Sequence, residues 1–172
     1  MKNSIITASI LAAGLAFSGA VNAAPATATL NIAATFLPAC AVTTAAVNFG
    51  SLPAGSLANA NGDVSVNCSA GVPYHIALDA GSHPAALGGL GLVVRNVANG
   101  TAGFAPYFLY KDLVAFNEWG DSDYANTHPG TSFVDIGSGV IQPHTVFGLL
   151  SSYTIVAAPG TYTDIVNVSV YY

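Results

Sequence analysis

Four histidines, His75, His83, His128 and His144, are the side chains of this sequence best suited to hold a metal or move a proton. They lie far apart in strand-like and loop-like stretches, without the close HxH or HExxH spacing that aims two imidazoles at one ion. The plain reading is solvent-facing or singly hydrogen-bonded histidines. Asp121 and Asp123 flank Ser122, which begins like a calcium loop, but the later oxygen ligands are missing and turn-forming aspartates are expected. No Gly-x-Ser-x-Gly elbow is present to expose a nucleophilic serine. No catalytic residue, metal site or cofactor is therefore assigned, and the chain reads as a non-enzyme. Trp119 beside Gly120 is expected to plug the edge of a core rather than to stack on sugar. The sequons at Asn67, Asn99 and Asn167 match Asn-x-Ser/Thr. Those at Asn67 and Asn167 fall inside expected strands and are incidental.

Cys40 and Cys68 are the two cysteines. Their chemistry depends on the compartment, and the first residues address it. Lys2 supplies a positive start, residues 5–17 are apolar, and Val21-Asn22-Ala23 fits a small-residue cleavage site. Residues 1–23 thus read as a signal peptide, too short for a comfortable membrane anchor. In an oxidising compartment an isolated cysteine pair forms one disulfide. Two free buried thiols are the alternative, and a metal site from cysteines this far apart is remoter still.

Cleavage after Ala23 leaves about 149 residues, enough for one domain with a real core. Arg95 and Lys111 are then the remaining cations against eight acidic residues, a net charge near −6. Phosphate recognition needs a basic face, so nucleic acid is not expected as a partner. Glycines and polar residues interrupt every later apolar run, so no stable membrane insertion is expected. Few charges with abundant Ala, Gly, Val and Thr suit packed assembly.

The elements that would position these residues are short alternating runs separated by Gly, Pro, Asn and Asp, the pattern of an all-β sandwich or barrel. Strands are expected within residues 42–52, 64–68, 74–78, 92–97, 106–111, 133–136 and 144–152. Residues 53–62 read as a turn-rich loop and 81–91 as irregular. The run at 92–97 is an expected edge strand. Gly71-Val72-Pro73 is a tight connection that predicts a hairpin between the strands ending at Cys68 and starting at Tyr74. Near the C-terminus, Tyr162, Val166, Val168, Val170 and Tyr172 share one parity, so a half-buried strand is expected over 161–172. A second alternating row, Ala26, Ala28, Leu30, Ile32, Ala34 and Phe36, lies at the start of the mature chain. It is either the first strand of its own sandwich or a strand lent to a neighbour, and periodicity alone leaves both open.

Several segments in order resemble the spore coat protein U domain. Leu37-Pro38-Ala39-Cys40-Ala41-Val42 and Val47-Asn48-Phe49-Gly50 are similar to its opening. Val64-Ser65-Val66-Asn67-Cys68, Val72-Pro73-Tyr74 and Ala77-Leu78-Asp79-Ala80-Gly81 are similar to the next block. Leu109-Tyr110-Lys111-Asp112 with Trp119-Gly120-Asp121 resembles its middle, and Phe147-Gly148 with Pro159-Gly160-Thr161-Tyr162-Thr163-Asp164 its end. The family includes subunits of archaic (Csu-type) chaperone–usher pili.

The resemblance implies an all-β, incomplete immunoglobulin-like antiparallel sandwich completed by a donor strand. It divides the chain into a signal peptide (1–23), a donor strand (24–36) and a pilin-like domain (37–172). Ala26, Ala28, Leu30, Ile32, Ala34 and Phe36 would be the donor face; Val166, Val168 and Val170 would line the acceptor groove. It also implies a Cys40–Cys68 bridge between the first two strands. The implied partners are a periplasmic chaperone, an outer-membrane usher and neighbouring subunits. The implied destination, through the periplasm, is a cell-surface fimbrium serving adhesion and biofilm formation. A complete secreted sandwich that binds a ligand, as a carbohydrate-binding adhesin or coat protein, is the alternative.

Overall fold

The computed structural model describes residues 24–53, 55–87, 92–100, 103–151 and 158–172. The expected signal peptide lies outside them. The chain divides into residues 1–35 and 36–172. Within the first unit, residues 24–35 carry no regular secondary structure and are exposed.

The second unit is all-β; no helix occurs among its described residues. Its strands are β1 (Cys40–Ala45), β2 (Ala58–Cys68), β3 (Pro73–Leu78), β4 (Ala85–Leu87), β5 (Leu92–Ala98), β6 (Phe104–Tyr110), β7 (Phe133–Ile136), β8 (Gln142–Leu150) and β9 (Val168–Tyr171). They form a six-stranded sheet, β1-β2-β8-β6-β5-β4, and a three-stranded sheet, β7-β3-β9. Every pairing between these strands is antiparallel.

The two sheets bury their apolar parities against each other, as a sandwich must. Val64, Val66 and Cys68 of β2, Leu109 of β6 and Val146 of β8 supply one side. Tyr74, Ile76 and Leu78 of β3 supply the other. The ring of Tyr74 lies edge-on to His144 of β8, 5.9 Å between centroids, and Phe133 of β7 meets the same imidazole at 4.5 Å.

Trp119 is fully buried within this core rather than at its edge, and its Nε1–H donates to the Ile76 carbonyl at 2.7 Å. The indole needs that acceptor because a buried N–H without one is costly. Cys40 and Cys68 are joined by a disulfide that ties β1 to β2 at a directly paired position.

Four expectations are corrected. The turn at Gly71-Val72-Pro73 does not make a hairpin, because β2 and β3 belong to different sheets. Val66 and Tyr74 are both buried because their strands face each other across the core; the short connection is an arch between layers. Residues 58–62, expected as loop, form the first half of β2, where the ladder with β8 from Ala58↔Leu150 to Gly62↔Val146 overrides the weak strand preference of Asn and Gly. β5 is not an outer strand: β6 lies on one side and the three-residue β4 on the other. The C-terminal ladder is also shorter than the alternation that predicted it, covering Val168–Tyr171 only, with Tyr172 exposed.

Candidate functional site

The surface that could engage a partner starts from the free edge of β9. This strand pairs with β3 on one side, Leu78↔Val168 to His75↔Tyr171, and no described strand pairs with its other side. Burial alternates over a longer stretch than the ladder: Tyr162, Asp164, Val166, Val168 and Val170 are half-buried, and the residues between them are exposed. A row that alternates like a sheet strand, but is hydrogen-bonded along one edge only, carries unspent main-chain donors and acceptors. Val166, Val168 and Val170 pack against the core on one side, as do Val47, Phe49 and Leu150.

The opposite layer shows the same incompleteness. Val42↔Val66 and Thr44↔Val64 are directly paired in the β1–β2 ladder, so each pair projects to one face of the sheet. Val66 is fully buried, yet Val42 is 40% exposed. All of β1 after Cys40 is exposed. The core face of the sheet is thus covered over β2 and left open over β1. Cover over that face of β1 is missing.

A polar framework, buried at the side chains of Asp164, Tyr107 and Arg95, holds the approach to β9 in place. The Asp164 side chain, 3% exposed, accepts from Tyr107 Oη at 2.6 Å and from the Ser82 N–H at 2.9 Å, and lies 3.0 Å from His83 Nδ1. Burial, then the bond to Asp164, pushes the Tyr107 phenol well above its ordinary range. Gly81, at φ +76°, sits directly against this carboxylate, and an added Cβ would collide with it. Asp79 accepts from the Asn167 N–H at 2.9 Å and from its side-chain amide at 2.6 Å, fastening the end of β3 to the start of β9. Arg95 is fully buried; its Nε donates to the Asp79 carbonyl at 2.7 Å and one terminal nitrogen to the Leu78 carbonyl at 2.8 Å. Burial lowers the Arg95 pKa.

The structure disperses the histidines. His83 belongs to the Asp164 cluster. His128 is buried, with Nε2 2.8 Å from Glu118, and is therefore not solvent-facing. His144 lies 2.8 Å from the Tyr74 hydroxyl, and His75 lies 3.2 Å from the Ser132 hydroxyl. Asp121 ties down the loop at Thr127 and His128, and Asp123 binds the N–H and hydroxyl of Ser132. Both act as loop-forming carboxylates. Among the described residues no group of three or more His, Cys, Asp or Glu could hold a metal ion.

Of the residues expected from sequence, Val166, Val168 and Val170 come together along the open edge. Leu30, Ile32 and Phe36 are exposed apolar side chains. Sequence reasoning missed Asp164, Asp79 and Arg95, and named His83 without its partner Asp164. One signal was available: Asp164 stands on the buried parity of the C-terminal row, and a carboxylate there must have partners.

A search of curated proteins gave no match. Among solved structures, the chain is similar to a chain of the CsuC–CsuE complex of Acinetobacter baumannii, a chaperone–tip adhesion subunit pre-assembly complex from archaic chaperone–usher Csu pili. The sequences are 23% identical, with a TM-score of 0.57. The match covers 80% of this chain and 40% of that one. This likeness supports the sandwich fold. Residues 26–169 match the Spore Coat Protein U domain. That span takes in most of the sequence, and the chain belongs to the spore coat protein U domain family.

Proposed function

We propose that this chain is a structural, non-enzymatic subunit of a surface pilus, built by the chaperone–usher route through donor-strand exchange and serving adhesion and biofilm formation. The observation that carries the reading is Val42: its ladder partner Val66 is fully buried, yet Val42 is open to solvent on the same face. A sandwich that needs one more strand receives it from outside by β-strand addition, in which main-chain hydrogen bonds give affinity and alternate side chains fill the groove. Val166, Val168 and Val170 are the acceptor wall. Ala26, Ala28, Leu30, Ile32, Ala34 and Phe36 are the donor row of the next copy.

Burying Leu30, Ile32 and Phe36 releases roughly 5–9 kcal/mol of gross transfer free energy, at about 1.5–3 kcal/mol for each large side chain. The same open edge is an aggregation hazard before assembly. A periplasmic chaperone that occupies the groove first meets that need, an outer-membrane usher exchanges it for the next subunit, and the product is a fimbrium on the cell surface. Similarity to a subunit solved in complex with a chaperone supports this route.

Ile32→Asp and Leu30→Asp test it. Each places a charge in an apolar groove without touching the acceptor wall. Both variants are expected to reach the chaperone-bound state in the periplasm and to give no SDS-resistant surface polymer. Normal polymers from both would sink the proposal.

A further inference from the structure

The ladders bring several turns to one end of the sandwich. β1 begins there at Cys40, paired with Cys68 where β2 ends. β8 begins there as well, since Gln142 pairs with Val66. β6 runs toward the same end, because Tyr107–Tyr110 pairs antiparallel with Leu150–Phe147. Beyond Tyr110 the chain turns back: the Lys111 N–H donates to the Asn117 carbonyl and the Trp119 N–H to the Leu109 carbonyl.

Apolar side chains crowd these turns. Leu113, Val114 and Phe116 sit at the hairpin tip, Val140 and Ile141 lead into β8, and Leu37 precedes β1. All six are exposed, Phe116 to 86%. Exposed apolar residues scattered singly need no explanation, but six at one end do. The tip has a defined shape. Ala115 holds the left-handed φ of +56°, and the Asp112 carboxylate accepts from the Phe116 N–H at 3.2 Å and from the Asn117 amide.

We infer that this apolar end is the face on which the adjoining copy of the chain sits in the fibre, with residues 112–116 and 138–141 as the contact. The inference rests on the donor-strand reading above. Chain connectivity selects the occupant. Phe36, the last residue of the donor row, is four residues from Cys40, at most about 14 Å of extended chain. A neighbour that holds Phe36 in its groove is therefore held against the end where β1 starts. Surfaces tethered this closely meet at high effective concentration, so modest apolar contacts are enough to dock them.

A photo-crosslinking phenylalanine analogue at Phe116, and separately at Ile141, tests the contact. Surface polymer sheared from producing cells is irradiated and then boiled in SDS. Covalent pairs of the chain are expected, and none when the polymer is dissociated before irradiation. Polymer that assembles normally but gives no pairs at either position overturns the inference and leaves the donor-strand reading standing. A chain that makes no polymer at all removes that reading, and the inference falls with it. A third outcome also overturns it: no pairs, together with loss of adsorption to polystyrene in a Leu113→Ser, Phe116→Ser variant whose polymers are normal. The face would then meet an apolar surface rather than a second copy.

Discussion

Removing the disulfide is the perturbation whose cost follows most directly from the structure. Cys40 and Cys68 are 28 residues apart and directly paired at the start of β1. In the chain-entropy account, a loop of that size lowers the entropy of the unfolded chain enough to stabilise the fold by about 3.6 kcal/mol at 25 °C. β1 has little else to hold it: it lies at a sheet edge, and its residues after Cys40 are exposed. Cys40→Ala with Cys68→Ala is the better form of the test, because serine at the buried position 68 would add an unpaired hydroxyl. Urea unfolding of the oxidised chain and the double variant should separate by about 3.6 kcal/mol, and melting temperatures by roughly 10–18 °C for a domain of this size. Amide exchange should show the β1–β2 ladder opening first in the variant. A separation below about 1 kcal/mol, with unchanged protection at Val42 and Thr44, would refute the reasoning. β1 would then be held by its ladder alone.

Two further outcomes follow from buried polar groups. Burial lowers the pKa of His144 below its ordinary value, partly offset by Asp135. The unfolded chain therefore binds more protons below about pH 6.5, and stability should fall as pH drops through that value toward the depressed folded pKa. His144→Gln should flatten this slope in melts between pH 7 and 5; an unchanged slope would assign the effect elsewhere. Asp164→Ala leaves the Tyr107 hydroxyl and the Ser82 N–H without their acceptor. A loss of about 3 kcal/mol is expected, with Asp164→Asn intermediate. Equal stability of all three proteins by urea titration would show that the cluster is not structural.

Alternation was legible wherever one face of a strand meets the core and the other meets water. The parities of β2 and β3 could be read directly, as could the burial of Val166, Val168 and Val170. The length of the C-terminal ladder could not, because alternation reports which way side chains point and not whether a neighbouring strand supplies hydrogen bonds. The same limit hid residues 58–62, whose Asn and Gly are drawn into β2 by the partner strand β8.

Cysteine count by itself limited the chain to one possible disulfide, since two cysteines have one pairing, and the structure shows that it forms. Composition likewise determined that the charge is acidic, and periodicity that the fold is all-β. Only the tertiary structure decided which sheet each strand joins, because a four-residue connection can close a hairpin within a sheet or arch between sheets. Only it decided that Asp164, Asp79, His83 and Arg95 meet near the start of β9, since their contacts span up to 88 residues of sequence. The open face over β1 was decided there too: burial of Val66 beside exposed Val42 depends on what lies across the core, and no local pattern carries that information.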